Sequence, residues 1–108
     1  MAEINLVFQN ATEEDVEKIV QMLADDPLGA KRESYELPLP QTYLDAYNTI
    51  SDDPNNELVV ARNGEVIAGF LQITFIPYLT YQGRWRALVE GVRVNKEYRG
   101  KGIGKQLF

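Results

Sequence analysis

The residues with the clearest capacity for chemistry form a glycine-rich turn near the end of the 108-residue sequence. The turn reads Arg99-Gly100-Lys101-Gly102-Ile103-Gly104 and lies between a predicted strand and the predicted start of a helix. Glycines let consecutive backbone N–H groups converge on an anion, and the N-terminus of a helix adds a favourable dipole. The turn therefore indicates a phosphate site, although a simple flexible corner uses the same glycines. Lys101 and Lys105 are more typical of solvated side chains, but either can reach a phosphate.

The spacing of the turn excludes two well-known phosphate-binding motifs. A Walker A loop needs a hydroxyl residue directly after its lysine, and Gln106 follows Lys105. The dinucleotide fingerprint needs Gly-x-Gly-x-x-Gly after an early parallel strand, whereas these glycines recur at every second position late in the chain. The turn therefore belongs to neither class of nucleotide site.

Glu90 is the second candidate for chemistry. It stands in an apolar predicted strand between Val89 and Gly91, nine positions before Arg99. The chain contains no His and no Cys, which removes disulfides, zinc fingers, Cys nucleophiles and histidine acid-base chemistry. Proton transfer must then fall to carboxylates, Tyr, Lys or water, and Glu90 is the best-placed carboxylate. The alternative is a Glu on the exposed face of the strand.

The spacing of apolar residues and the positions of turn-forming residues predict the helices and strands that position these residues. A strand is expected first, then two helices separated by a Pro-rich loop, and then three strands before the glycine turn and a final helix start. The fold class is α/β (α+β), with a mostly antiparallel sheet and helices, and residues 1–108 form part of one domain. The expected elements are a strand over Ile4–Gln9, a helix capped by Thr12 that ends at 25–29, a helix around 43–50, strands over Leu58–Arg62 and Val66–Ile76 joined by a type I′ turn at Asn63-Gly64, a loop over Pro77–Gly83, a strand over Arg86–Val94, and a helix that begins near Ile103.

Charge is unevenly distributed along the chain. The net charge is -5, but residues 1–52 alone carry three basic and eleven acidic side chains, whereas residues 96–108 carry four basic and one acidic. The acidic half argues against a nucleic-acid-binding module, and the basic end suits a small anion. The sequence has no run of 18 apolar residues and no basic, apolar leader, so a cytoplasmic protein without a membrane partner is expected.

The run Val92-Arg93-Val94-Asn95-Lys96-Glu97-Tyr98-Arg99-Gly100-Lys101-Gly102-Ile103-Gly104 resembles motif A of the GNAT superfamily of N-acetyltransferases. The order of elements also resembles the N-terminal half of that fold, with the C-terminal half absent from these residues. The resemblance implies acetyl-CoA as cosubstrate and no metal. The residues implied to bind it are the N–H donors of the turn from Arg99 to Gly104, together with Lys105 and the strand residues Val92, Arg93 and Val94 beside the pantetheine arm.

The resemblance also implies a reaction and a role for Glu90. The expected activity is transfer of the acetyl group to a primary amine of a small molecule or peptide, by direct attack in a ternary complex. Glu90 would deprotonate the amine, and a backbone N–H near Val92 would polarise the thioester carbonyl. A non-catalytic acyl-CoA sensor of the same fold is the alternative.

The acceptor site is less visible in the sequence. The family builds it from the first helix pair and the loop between the third and fourth strands, where this chain has acidic and aromatic residues. Such linings suit a cationic amine, although each residue alone is more typical of a surface acid or a half-buried aromatic. The candidates are Glu33, Tyr35, Tyr78 and Tyr81, with Glu36, Tyr43, Tyr47 and Trp85 in the same segments.

The last residues suggest that a partner completes the site. The helix that begins near Ile103 has room for about one turn before Phe108, and an isolated turn is unfavourable in water. In the resembled family a fifth strand and the general acid follow. We therefore expect that these residues are a fragment, or that a complementing C-terminal half or a homo-oligomer supplies the rest. We also expect an unpaired edge along Arg86–Val94 and no activity from these 108 residues alone.

Overall fold

The computed structural model describes residues 6–100, which form a four-stranded sheet with three helices. No helix within residues 6–100 is long and apolar enough to cross a membrane; the longest has 12 residues. The elements are β1 (Val7–Asn10), a 3-10 turn (Glu13–Asp15), α1 (Val16–Leu23), α2 (Pro27–Arg32), α3 (Gln41–Asp52), β2 (Asn56–Asn63), β3 (Val66–Pro77), β4 (Trp85–Val94) and a second 3-10 turn (Lys96–Tyr98).

The sheet has the order β1-β2-β3-β4, and every neighbouring pair is antiparallel. This confirms the α/β fold class and the antiparallel hairpins predicted from the alternating apolar residues. Within residues 6–100, β4 pairs only with β3, so its other edge is free of strand partners there. The predicted first strand is present from Val7, and its residues 4 and 5 lie outside the described range.

The core lies between α1 and one face of the sheet. Val16, Ile19 and Val20 recur at helical spacing along α1 and are buried. Ile19 packs in a cluster with Val60 of β2 and Phe70 of β3. This face of the sheet, which we call the helical face, is where α1 excludes water from the apolar side chains.

Asp15 fixes the start of α1 to the sheet. Its carboxylate accepts a hydrogen bond from the Thr12 N–H at 2.8 Å and forms an ion pair with Arg62 of β2. The sequence predicted Thr12 as the N-cap of the helix; in the structure Thr12 caps the 3-10 turn Glu13–Asp15, and Asp15 is the N-cap of α1. Burial alone raises the pKa of Asp15, but the hydrogen bonds from Arg62 and Thr12 outweigh it and hold this pKa below its usual range.

The structure corrects the prediction of a loop directly after α1. The stretch Asp25–Gly29 was expected to end the helix and lead into a Pro-rich loop, but α2 begins at Pro27. The Asp26 side chain accepts from the N–H of Gly29, and Pro27 occupies the first helical position, where its missing N–H costs nothing. The proline read as a breaker is therefore the start of a helix.

The turn of the β2–β3 hairpin also differs from its prediction. Asn63 pairs with Val66, so the two connecting residues are Gly64 and Glu65, one position later than expected. Only Gly64 has a positive φ, at 64°, whereas a type I′ turn needs two such residues. The glycine at the first central position fits a type II′ turn instead.

The predicted loop over Pro77–Gly83 contains an unusual turn. β3 extends through Pro77, and Tyr81, Gln82 and Gly83 then take consecutive positive φ values of 52°, 62° and 76°. Such left-handed conformations cost a non-glycine residue about 1–2 kcal/mol each. The connection between β3 and β4 is therefore a defined left-handed turn.

We expect Asp15→Asn to lower the free energy of unfolding by about 2–3 kcal/mol, because Arg62 loses its partner in a mostly buried position. Since the folded-state pKa of Asp15 lies below its usual 3.8, its contribution is present above that pH and lost as the pH falls through the folded value. Urea unfolding between pH 7 and pH 3 measures both effects. Glu14→Gln, an exposed neighbour, is the control, and an equal loss in both variants would contradict the assignment.

Candidate functional site

A β-bulge interrupts β4 next to Glu90. Phe70 pairs with Arg93 and Gln72 pairs with Glu90, so Gly91 and Val92 together stand opposite the single residue Leu71. Gly91 has a φ of 64°, the left-handed conformation typical of the first residue of a glycine bulge. Because one residue of such a pair is left out of the ladder, the bulge makes backbone polar groups available beside Glu90.

Glu90 lies on the helical face of the sheet. Its pairing partner Gln72 lines a cavity with residues of α1 and α3, and directly paired residues share one face. Glu90 is exposed, so its carboxylate is accessible from solvent. The arrangement gives an acceptor molecule a direct approach to the carboxylate.

The cavity beside Gln72 has a volume of about 160 Å³ and a mostly apolar lining. It lies between α1, α3 and the sheet, and Tyr43 and Tyr47 of α3 contribute to its wall. Tyr43 donates a hydrogen bond to Glu33 at 2.9 Å and accepts one from the Ser34 N–H at 2.8 Å. Burial is the largest cause that raises the pKa of the Tyr43 hydroxyl, and the Glu33 carboxylate raises it further. The hydrogen bond from the Ser34 N–H lowers this pKa but does not offset the other two causes.

The end of β4 is held by Asn95 as the chain turns toward the glycines. Its buried side chain donates to the Ile67 carbonyl at 3.1 Å and accepts from the Glu97 N–H at 3.1 Å. Gly100 follows with a φ of 81°, and a Cβ there would meet no atom within 4 Å. Glycine is therefore favoured at this position because of its positive φ and not because a side chain would clash with a neighbour.

Two ion pairs connect this end of β4 to the corner between α1 and α2. Arg93 lies 3.6 Å from Asp26, and Arg99 lies 3.6 Å from Asp25 while it also donates to the Val94 carbonyl at 3.2 Å. The hydrogen bond from Gly29 and then the charge of Arg93 hold the pKa of Asp26 below its usual range. The side chain of Arg93 thus packs toward α2, and a cofactor role for this residue rests on its backbone.

The predicted cofactor residues fall into three groups. Val92 and Arg93 lie at or beside the bulge and Val94 closes β4, while Arg99 and Gly100 begin the turn. The remaining predicted residues lie outside the described range, so their roles stay predictions: Lys101, Gly102, Ile103, Gly104 and Lys105.

The predicted acceptor residues do not gather in one place. Tyr35 lines a separate cavity of about 240 Å³ with Asn95 and Lys96, beyond the last residue of β4. Tyr78 and Tyr81 belong to the connection that precedes β4. A ten-residue strand spans about 30 Å, so a small acceptor cannot contact both ends.

The rings near the start of β4 are already occupied by cations. The Arg86 guanidinium lies 4.7 Å from the centre of the Tyr78 ring, and that of Arg84 lies 5.9 Å from the centre of the Tyr81 ring. Each ring therefore has one face covered by an arginine, which disfavours a second cation nearby. The roles of Tyr78 and Tyr81 toward an acceptor stay predictions.

Sequence reasoning missed Gly91 and Asn95 as parts of the site. A glycine inside a strand pattern is a known indicator of a bulge, and Asn before a short helical turn is a preferred cap. Both indicators are present in the sequence. Asp25 and Asp26 were read only as a helix end, because their arginine partners lie more than 60 positions away in the chain.

No group of three or more His, Cys, Asp or Glu side chains within residues 6–100 is arranged to hold a metal ion. Glu90 and the bulged backbone lie side by side in β4, so a carboxylate and backbone polar groups meet there.

The sequence pattern of the Acetyltransferase (GNAT) family matches residues 17–108. No curated protein sequence matches the chain significantly. Among solved structures, a transcriptional regulator from Bacillus halodurans C-125 is 59% identical with a TM-score of 0.91, and the match covers 95% of this chain and 69% of that one.

More distant structures share the fold. Glucosamine-6-phosphate N-acetyltransferase from Arabidopsis thaliana is 14% identical with a TM-score of 0.71, covering 94% of this chain and 68% of that one. A predicted acetyltransferase from Clostridium acetobutylicum, solved with acetyl-CoA, is 15% identical with a TM-score of 0.67, covering 95% and 68%. At these identities the likeness establishes the fold alone.

Proposed function

Because this chain belongs to the GNAT acetyltransferase family, we propose that it is an N-acetyltransferase that transfers the acetyl group of acetyl-CoA to a primary amine of a small molecule or peptide. The observation that carries the proposal is the bulge at Gly91 directly beside Glu90. It combines a carboxylate on an open face with backbone groups released from the sheet. A base for the amine and a donor that polarises the carbonyl are two of the groups that acetyl transfer to an amine uses, beside a proton source for the departing thiolate.

The cosubstrate supplies an acetyl group activated as a thioester. The backbone from Val92 to Val94 fits its pantetheine arm, because β4 has no second strand partner within residues 6–100 and an extended chain can add to a free strand edge. The N–H groups of the turn that begins at Arg99 and Gly100 would bind the pyrophosphate. The positive φ of Gly100 supports this role, since it turns the backbone where those N–H groups must converge.

Glu90 is proposed to accept the proton that the acceptor amine must lose. The free amine then attacks the thioester carbonyl directly in a ternary complex, since the chain has no Cys to carry the acetyl group. The new C–N bond replaces the thioester C–S bond, and the coenzyme A thiolate leaves and takes up a proton from water or from a general acid outside residues 6–100. A backbone N–H of the bulge near Val92 donates a hydrogen bond to the carbonyl oxygen as negative charge develops there. The exposed position of Glu90 lets it act directly or through one water.

A second candidate is an acyl-CoA sensor with no turnover. It is favoured by the description of the 59% identical Bacillus halodurans protein as a transcriptional regulator. Such a sensor would bind coenzyme A with the same backbone groups but would acetylate no amine. Calorimetry with acetyl-CoA and a thiol-release assay over an amine panel separate the two when the C-terminal half of the domain is present: binding without thiol release then supports the sensor.

We expect Glu90→Gln to lower kcat by about 100-fold to 10,000-fold, the range typical of a lost general base. The measurement is thiol release at saturating acetyl-CoA, with the C-terminal half of the domain present. Glu57→Gln, which removes an exposed carboxylate from β2, is the matched control and should retain the wild-type kcat. A loss of less than threefold in Glu90→Gln would make Glu90 a bystander.

We expect Gly91→Ala to weaken acetyl-CoA binding, because alanine disfavours the left-handed conformation and shifts the bulged backbone. The added Cβ also comes within 3.4 Å of the Phe70 ring. Gly64→Ala is the control, since Gly64 has the same φ of 64° in the β2–β3 turn with nothing within 4 Å.

Both glycine variants should lose about 1–2 kcal/mol of unfolding free energy. Calorimetry should show reduced acetyl-CoA affinity in Gly91→Ala alone. Equal affinities in the two variants would show that the bulge has no part in binding.

A further inference from the structure

Arg86 lies on the same face of β4 as Glu90. It pairs with Ile76 of β3, and it is separated from Glu90 by four residues of regular strand before the bulge. Side chains at even separations point to the same face, so Arg86, Leu88 and Glu90 form a row along the helical face. All three are exposed.

The guanidinium of Arg86 is held in place but electrostatically unpaired. It stacks 4.7 Å from the centre of the Tyr78 ring, and it has no ion pair within the described part of the chain. The sequence from Pro77 to Val89 contains Arg84 and Arg86 and no acidic residue. A cation that is oriented by a ring and lacks a carboxylate partner can accept an anion from a ligand.

The spacing of the row sets the size of that ligand. Four residues of strand place the two α-carbons about 13 Å apart. Leu88 lies between them with 45% of its surface exposed, which offers an apolar contact midway. An acceptor that reaches both ends therefore has an amine at one end, an apolar middle and an anionic group at the other.

We propose that Arg86 is a specificity-determining residue that binds a carboxylate or phosphate group at the far end of the acceptor amine. This inference rests on the proposed function, since it assigns Glu90 to the amine end. It replaces a cationic acceptor with an ω-amino anion as the substrate class. Guanidinium binds both carboxylate and phosphate in a bidentate manner, so the shared chemistry is the anion.

The test compares matched acceptors that differ only in charge. The panel contains ω-amino acids of increasing chain length, the corresponding ω-amino amides, and ω-aminoalkyl phosphates. Each is assayed by thiol release at saturating acetyl-CoA, with the C-terminal half of the domain present. We expect kcat/KM for the best anionic acceptor to exceed that of its amide by about tenfold or more, as a charge-assisted hydrogen bond implies. The phosphate arm shows which anion is preferred.

In Arg86→Gln this preference should disappear through a raised KM, while kcat for the amides stays at the wild-type value. Arg84→Gln is the control, because it removes the same charge from before β4, about 20 Å along the chain from Glu90. An equal loss in both variants, or an unchanged preference in Arg86→Gln, would overturn the assignment.

A binding measurement separates this inference from the proposed activity. Trp85 is the chain's one tryptophan, is 56% exposed and adjoins Arg86, so its fluorescence reports binding without turnover. Wild-type protein should respond to ω-amino anions and Arg86→Gln should not, even if no amine is acetylated. Turnover of amines with no anion-dependent response would leave the acetyltransferase proposal intact and contradict the role of Arg86.

Discussion

The extra residue at Gly91 is the constraint on which the site depends. In a regular strand, positions 90 and 93 would face opposite sides of the sheet. Because Gly91 and Val92 together oppose Leu71, the alternation shifts, and both Glu90 and Arg93 face the helices. One left-handed glycine therefore places the proposed base and the arginine that contacts α2 in the same layer.

The fold brings the acidic first half of the chain into contact with arginines from later in the chain. Read along the chain, the acidic first half and the basic end suggest separate surfaces. In the fold, carboxylates of the helical segments meet arginines of the sheet and of the turn after it. Removing one partner costs most at the most buried of these pairs, because the remaining charge is left uncompensated away from water. The pairs are Asp15 with Arg62, Asp26 with Arg93, and Asp25 with Arg99.

The sequence predicted the elements better than their connections. The apolar spacing of α1 and the alternation of β2 and β3 survive in the structure because burial of one face dictates both patterns. The turn between β2 and β3 was misplaced by one residue, since Asn63-Gly64 and Gly64-Glu65 are both plausible turn pairs, and pairing of the strands decides between them. The start of α2 was missed because Pro27 is ambiguous between a breaker and a first helical residue.

The candidate site shows the same division. Glu90 was predicted as the base because a carboxylate in an apolar strand is unusual, and that role stays a prediction. The contacts that orient its surroundings join residues distant in sequence. The cation–ring pair of Arg86 and Tyr78 is one such contact, formed across the β3–β4 connection. No local sequence pattern indicates that the Tyr78 ring, predicted to attract a cationic acceptor, is already in contact with the Arg86 guanidinium.

The two roles proposed for β4, proton transfer at Glu90 and anion binding at Arg86, can vary independently. Glu90 and the bulge lie near one end of β4, and Arg86 lies near the other, about 13 Å away. At physiological salt, exposed charges at that distance are largely screened from each other, and substitutions separated by more than about 10 Å usually act additively. A substitution at Arg86 can therefore change the preferred acceptor with little effect on proton transfer at Glu90. A strand suits this arrangement because its ladder of hydrogen bonds to β3 fixes both positions, whereas a loop would let their separation drift.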